Sequence, residues 1–393
     1  MTIWFALLIP LIAGVILYKF FRSEIVWWEL TLPIIATTII ILIVRLCYEF
    51  GATLDTEYRG YLVTQAKYYE YWSTWVDKTC YNRVCTGSGK DEICTDVPYD
   101  CSYCDKNSPY WEAIDTDGNV FRISQPYYFK LIQQWHSNPE FIELNRNIER
   151  HWSCGEDGNA YSINWDGKLE SSEASVTTNN FVNKIIVAKS AFSYKEISKK
   201  EASKLGLYDY PKLHGFYKQD GILGLDKLPI NDKEMIHKKF QYINGLGYKH
   251  HGKVFVLLFP NKGIDISYQQ EAYWVGGKDN QLTVCIGYDP TTYKMNWVRA
   301  FTWDKDKRSI VEAREELMEI GSVLQMDNIF NQMYHITNTY HHPRDFKDFD
   351  YLVIELPTWI IIIVYLLSAI TSFFIGKWVI TNEFNENTNQ YFI

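Results

Sequence analysis

The sequence predicts a membrane-anchored protein of mixed α+β and α/β class, with a disulfide-rich β subdomain, then an α/β domain, flanked by transmembrane helices. Three observations carry this. Met1–Tyr18, Leu30–Val44 and Leu352–Ile375 are almost wholly apolar. Five cysteines fall close together at Cys80, Cys85, Cys94, Cys101 and Cys104. Between Lys253 and Trp303 an apolar run, a short helical stretch and a second apolar run follow one another, which is the pattern of a parallel strand pair with a crossover helix.

The apolar runs come first. Each approaches the roughly 20 residues that a bilayer crossing requires. Lys19, Arg22 and Glu24 separate the first two, and Trp27 and Trp28 read as interface anchors. A cleaved signal peptide would need a basic start and a small-residue cleavage site, and the first run shows neither. Three spans place the N-terminus and the large middle region on one side. Positive charge in the Lys19–Arg22 loop and in the tail from Lys377 marks the other side as cytoplasmic. Arg45, near the outer end of the second span, is expected to snorkel outward along its stem. The expected division is residues 1–50, two transmembrane helices with a short cytoplasmic loop; 51–175, a Cys-rich β domain; 176–345, an α/β domain; 351–380, a C-terminal transmembrane helix; and 381–393, a polar cytoplasmic tail.

In the β region, Tyr61–Val76 reads as one long strand, rich in Tyr, Trp, Val and Thr. A hairpin turning at Gly87-Ser88-Gly89-Lys90 would set Cys85 opposite Cys94 and Cys80 near Cys101. Cys154 is a sixth candidate, and six cysteines allow 15 pairings. Outside the membrane an oxidising compartment favours disulfides. The alternative is zinc on Cys80, Cys85, Cys101 and Cys104, whose spacing zinc tolerates. A redox role for Cys101 and Cys104 is disfavoured, because they sit among turn residues rather than at a helix start. Cys285 reads as a buried thiol within a strand, and Cys47 lies at a membrane edge. A helix is predicted over Gln125–His136, capped by Ser124 and started by Pro126. Asp115–Val120 is a turn; it lacks the later glutamate and flanking helices of a calcium loop.

Asn159–Ser175 is polar and turn-rich, a candidate boundary, and Phe181–Phe192 reads as a strand. Leu207–Gly224 is a loop, and Asp232–Leu246 has helical spacing of Met235, Ile236, Phe240 and Ile243. Val254–Phe259 fits a strand buried on both faces. Ser267 is the expected N-cap of the next helix, Glu271 falls in its early turns, and Gly276 and Gly277 end it. Leu282–Gly287 and Met295–Trp303 are further strands, and Trp274 is expected under the sheet. Helices are predicted over Ser309–Leu324 and Asp327–Tyr340.

The loop Gly276, Gly277, Lys278, Asp279 and Asn280 looks like a phosphate cradle. It follows a helix C-terminus, however, where the dipole has the wrong sign for an anion. It reads as a helix stop and an exposed turn, with a contact loop as the alternative. Asp265, Asp279 and Asp289 lie in loops around the sheet, and α/β sheets bind ligands beside the carboxyl ends of their strands. These three are the candidates for a cation, against an ordinary solvated role. His250-His251 and His341-His342 are poor chelates, since sequence neighbours point apart. A G-x-S-x-G nucleophile elbow is absent from the sequence. The net charge of -8, with no basic stripe, argues against a nucleic-acid partner.

The segments DTEYRGYLVTQAKYYEYW, the cysteine hairpin, YDCSYCDKNSPYWEA, FVNKIIVAKSAF, GLYDYP and EAYWVGGKDNQLTVCIG followed by WVRAFTW resemble a group of uncharacterised membrane-anchored proteins of tailed phages and some bacteria. The half with the central strands is also similar to a TPM domain, the α/β module of membrane-tethered envelope proteins, although the usual opening Asn-Asp pair of that module is not evident. The resemblance implies an integral protein of a bacterial inner membrane with its large region extracytoplasmic. The expected function, read from the anchoring spans and the stapled domain, is a binding or structural module whose partners are the bilayer and an envelope or phage protein, or a second copy. The alternative is a metal-assisted, phosphatase-like hydrolase. No catalytic residue and no cofactor are expected. A channel is disfavoured, because the spans hold few polar residues.

Overall fold

The computed structural model describes residues 2–21, 28–87, 93–152, 154–188, 195–214, 218–247, 252–319 and 323–382. The chain divides into two compact units. One comprises Met1–Thr56, Asn180–Lys195 and Asp345–Ile393; the other comprises Glu57–Asn179 and Glu196–Arg344.

The first unit holds three helices long and apolar enough to cross a bilayer. They cover Thr2–Phe20 (a 3-10 turn leading into α1, Leu8–Phe20), Thr31–Thr53 (α2) and Thr358–Thr381 of the C-terminal helix, with mean hydropathies of 2.1, 2.1 and 2.3. Ile3, Ala6, Ile41 and Val364 form their buried core. The Tyr365 hydroxyl donates to the Thr2 carbonyl at 2.7 Å and the Ser368 hydroxyl to the Ala6 carbonyl at 3.1 Å, so α1 and the C-terminal helix run in the same direction. α2 continues to Thr53, beyond the expected boundary at residue 50. Arg45 pairs with Glu49 at 3.0 Å one turn on, and the Thr53 hydroxyl bonds the Glu49 carbonyl. The C-terminal helix starts at Thr358 rather than Leu352, because Pro357 biases the residue before it away from helical geometry.

β1 (Leu54–Tyr69), which lies in the second unit from Glu57 on, is central to a six-stranded sheet ordered β7 (Val120–Ile123), β6 (Tyr110–Asp115), β1, β9 (Ala160–Asn164), β8 (Glu140–Ile142), with β10 (Ala174–Val182) also pairing β1. The expected strand Tyr61–Val76 is two strands, β1 and β2 (Trp72–Val76), and β2 pairs instead with β5 (Tyr103–Asn107). The break at Glu70 and Tyr71 receives another segment: the Glu70 amide bonds the Asn159 carbonyl, and its carboxylate accepts the Asn159 amide at 2.9 Å. β3 (Thr79–Thr86) and β4 (Ile93–Asp100) form a separate hairpin in the expected register, Cys85 facing Cys94. Of its expected turn, Gly87 has a φ of 107°, and Ser88, Gly89 and Lys90 lie outside the described residues.

β9 lies inside the stretch expected to be a boundary, yet it pairs with β1 from Gln65↔Asn164 to Tyr69↔Ala160. β10 spans the expected division at residue 175 and ends at Val182, not Phe192. The Asn183 carboxamide accepts the Ile185 amide and starts a 3-10 turn, a local bond that competes with strand pairing. Residues 189–192 lie outside the described residues. α3 (Gln125–Trp135) is capped by Ser124 as expected, and buries Tyr128, Leu131 and Trp135 against Val63, Ala66, Ala113 and Ile163.

After α4 (Lys199–Leu205), a four-stranded sheet has the order β11-β12-β13-β14. β11 is Ile222–Leu223, β12 Lys253–Pro260, β13 Gln281–Tyr288 and β14 Met295–Thr302. The first three are parallel and β14 is antiparallel. β12 and β13 are buried on both faces, as their apolar runs require. Val254, Val256, Leu258, Val284 and Ile286 pack with Phe240 of α5 (Lys233–Leu246) and with Met333 and Ile336 of a later helix, α8 (Met326–Thr339). Phe255, Leu257, Phe259 and Cys285 pack on the opposite face with Ile266 and Trp274. α6 (Asp265–Tyr273) connects β12 to β13, and α7 (Arg308–Glu319) follows β14. α6 begins two residues before Ser267, whose hydroxyl donates back to the Ile264 carbonyl at 2.6 Å instead of capping. The left-handed residues that close it are Val275, Gly276 and Gly277, at φ 52°, 78° and 87°.

Candidate functional site

The Gly276–Asn280 loop is not an exposed rim. Gly276, Gly277 and Asn280 are buried, and Lys278 and Asp279 are half-buried. The Asn280 carboxamide donates to the Tyr58 carbonyl at 3.1 Å, and its own carbonyl accepts the Lys253 amide at 2.8 Å. Asp279 meets Glu57 from β1. Glu57 is buried, and its Oε1 accepts Arg59 Nε at 2.6 Å and Asn179 Nδ2 at 2.8 Å. Asp279 Oδ1 is buried with no hydrogen-bond partner among the described residues. Burial, then the adjoining Glu57 carboxyl, pushes the Asp279 pKa up to about 8. Burial and the neighbouring Glu57 thus favour the protonated form of Asp279.

Lys253 opens β12 on the same side of the strand as Phe255. It is 2% exposed, and its Nζ has no hydrogen-bond partner among the described residues. The amine lies 5.5 Å from the Tyr58 ring centroid and 5.7 Å from that of Phe255. Burial lowers its pKa to about 7. Tyr58 stacks on Tyr210, which contacts Phe255 and Trp274, so the amine faces aromatic carbon.

His341 is buried, while His342 beside it is exposed. His341 Nδ1 lies 2.7 Å from Asp304 Oδ2, and Nε2 lies 3.1 Å from the Asn280 carbonyl. Ser309 donates to the same Asp304 oxygen at 3.0 Å. This is not a nucleophile relay. The serine bonds the carboxylate rather than the imidazole, and a backbone carbonyl occupies the ring nitrogen that would take the serine proton. The arrangement ties the loop before β13 to the segment after β14. His250 and His251 lie outside the described residues.

The three candidate aspartates do not converge. Asp265 and Asp289 follow the carboxyl ends of β12 and β13, whereas Asp279 precedes the amino end of β13, roughly 26 Å away along an eight-residue strand at ~3.3 Å per residue. Asp279 is therefore not at the ligand-binding end expected for it. Asp289 Oδ1 accepts the Thr291 amide at 2.7 Å, and such bonds hold its pKa below the usual carboxylate range. Asp265 is exposed at the start of α6. Among the described residues no group of three His, Cys, Asp or Glu side chains is placed to hold a metal.

All six candidate cysteines are bridged, as Cys80–Cys101, Cys85–Cys94 and Cys104–Cys154, so the zinc alternative loses its ligands. Cys285 is a buried thiol whose pKa burial raises, and Cys47 is an exposed thiol. The bridged hairpin is solvent-exposed along both strands. Its register places Val84 and Thr95, Asn82 and Val97, and Cys80 and Tyr99 on one face, because side chains directly opposite share a side. On that face Val84 is 50%, Val97 47% and Tyr99 45% exposed. Sequence reading found the staples but missed this apolar face, for which alternation along Val84, Val97 and Tyr99 was the available signal.

A cleft of about 320 Å³ is lined by Asp115, Asn119, Phe121 and Ser175 among others. The Asp115 carboxylate is occupied by its own turn, accepting the Asp117 and Asn119 amides, Asn119 Nδ2 and the Ser175 hydroxyl. Compared with known proteins, the chain matches no family model, no curated protein and no solved structure.

Proposed function

We propose that the protein is an extracytoplasmic binding module, anchored in a bacterial inner membrane by its three apolar helices, with a TPM-like α/β domain as its scaffold. The contact element is the stapled hairpin, and the partner is an envelope or phage protein. The observation that carries the reading is the exposed Val84–Val97–Tyr99 face on a hairpin braced by Cys85–Cys94 and Cys80–Cys101. An isolated two-stranded hairpin is at best marginally stable in water. The bridges fix its conformation before a partner arrives, which lowers the entropy cost of binding. The intervening sequence Ser88-Gly89-Lys90-Asp91-Glu92 is polar and charged, which suits a protein surface better than insertion into lipid. The apolar helices supply the anchor, and three disulfides fit an oxidising compartment. The hydrolase alternative would need Asp265, Asp279 and Asp289 in one site, and β13 separates Asp279 from the other two.

Site-specific photocrosslinking in native membranes tests this. A crosslinker at Val84 or Tyr99 should capture an envelope or phage protein, and one at exposed Lys168 should not. Equal capture at Lys168, or none from the hairpin, defeats the reading. The topology has its own assay. In a Cys47→Ser background, Lys168→Cys should react with an impermeant maleimide on intact spheroplasts and Lys19→Cys should be protected; the reverse pattern inverts the orientation.

A further inference from the structure

α1 and the C-terminal helix touch closely at Leu17, where a Cβ added to Gly376 would come within 2.7 Å of Leu17 Cδ1. Beside this contact lies a cavity of about 490 Å³, bounded by the two helices from Ile9 and Ala369 at one end to Lys377 and Thr381 at the other. Its wall is hydrocarbon. The two hydroxyls that line it are spent within the helix, Ser372 on the Ser368 carbonyl at 2.7 Å and Thr381 on the Lys377 carbonyl at 2.8 Å. Lys377 is the one charged residue among those lining the cavity, and its Nζ has no partner among the described residues.

We propose that this groove binds one acyl chain of an anionic glycerophospholipid, with Lys377 holding the phosphate-bearing headgroup. The proposal rests on the membrane reading above. From Ala369 to Thr381 the groove runs about 18 Å at 1.5 Å per residue. That length takes about 14 methylenes, given ordinary carbon–carbon bond lengths and angles. A groove of about 490 Å³ over that length is narrow and open along its side, which lets a single extended hydrocarbon chain lie along it. Between helix and lipid there is no hydrophobic gain to choose one chain over another. Selectivity therefore falls to charge. Lys377 and Lys19 lie at the ends of their parallel helices on the same side, which favours an anionic headgroup over a zwitterionic one.

The test uses the full chain, reconstituted from vesicles of equal phosphatidylglycerol and phosphatidylethanolamine and released into the gas phase for native mass spectrometry. The expected result is one retained phosphatidylglycerol, at least fivefold over phosphatidylethanolamine. Lys377→Gln should abolish the preference without touching the helix contacts, and Ala369→Phe should remove retention of both lipids by filling the groove. Equal retention of the two lipids, or a preference that survives Lys377→Gln, overturns the proposal. Carbonate extraction separates this from the anchoring reading: a chain that stays in the pellet but shows no preference refutes the lipid site alone, whereas a chain released by carbonate refutes both.

Discussion

The central sheet and the stapled hairpin solve the same problem by opposite means. Every residue of β13, and all of β12 but Pro260, is buried between two layers of side chains. The sheet is held by apolar surface removed from water, a non-directional force that scales with area. The hairpin β3–β4 buries almost nothing, and two covalent bridges replace the core that it lacks. The difference separates packing from exposure. A strand that must stay in a core cannot offer its side chains, while a strand held by sulfur can leave Val84, Val97 and Tyr99 open.

That contrast can be broken from either side. The largest effect is expected at Trp274, whose indole donates to the Tyr208 carbonyl at 2.9 Å and packs on Phe255 and Tyr210. Trp274→Ala should cost about 3–5 kcal/mol, the usual range for truncating a buried large aromatic. Denaturant titration of the full chain in detergent measures it, and a loss below about 1 kcal/mol would mean that the indole is not part of the core. Next is the double change Cys85→Ser and Cys94→Ser. The bridge closes a separation of 9 residues, worth about 2.6 kcal/mol in the chain-entropy account. Amide exchange should accelerate in β3 and β4 and stay unchanged in β12 and β13; spread of the effect into the sheet would show that the two regions share their stability.

The third effect is the sharpest in sign. Asp279 binds its proton more tightly folded than unfolded, so its contribution is fully present below about pH 4 and is lost as pH rises through about 8. Lys253 does the opposite. Its depressed pKa makes the folded state gain stability as pH rises from about 7 towards about 10. Asp279→Asn should flatten the first limb and Lys253→Met the second, each limb spanning up to several kcal/mol by its pKa displacement. Thermal unfolding at a series of pH values reads both; slopes unchanged in the variants would show that neither group titrates as buried.

These two groups also mark where sequence reading stops. Periodicity is local, so the apolar runs at Val254–Phe259 and Leu282–Gly287 announced their strands, and Ser124 with Pro126 announced α3. Cys85 opposite Cys94 followed from a short hairpin. Glu57 and Asp279 meet only because β1 crosses the amino end of the second sheet, and the neighbouring Asn280–Tyr58 bond joins residues 222 apart. Nothing local in Gly-Gly-Lys-Asp-Asn distinguishes a loop covered by a distant strand from one facing water. β9 was missed for a related reason: Ala-Tyr-Ser-Ile-Asn is polar enough to pass for a linker, and it becomes a strand because Gln65 to Tyr69 offer it a ladder.

The pairing Cys80–Cys101 encloses Cys85–Cys94, with Cys104–Cys154 following both. On a chain made from its N-terminus, Cys85 is the first of the bridged cysteines to follow Cys80, and that bond would be wrong. Backbone pairing resolves the conflict in time. A hairpin closes in roughly 1–10 μs, whereas thiols are oxidised over seconds or longer. Before an oxidant arrives β3 and β4 have met in register many times over, and oxidation traps the pair Cys85–Cys94 that this register presents. Biogenesis of the arm therefore depends on strand complementarity between Thr79–Thr86 and Ile93–Asp100, and not on the order in which the thiols emerge.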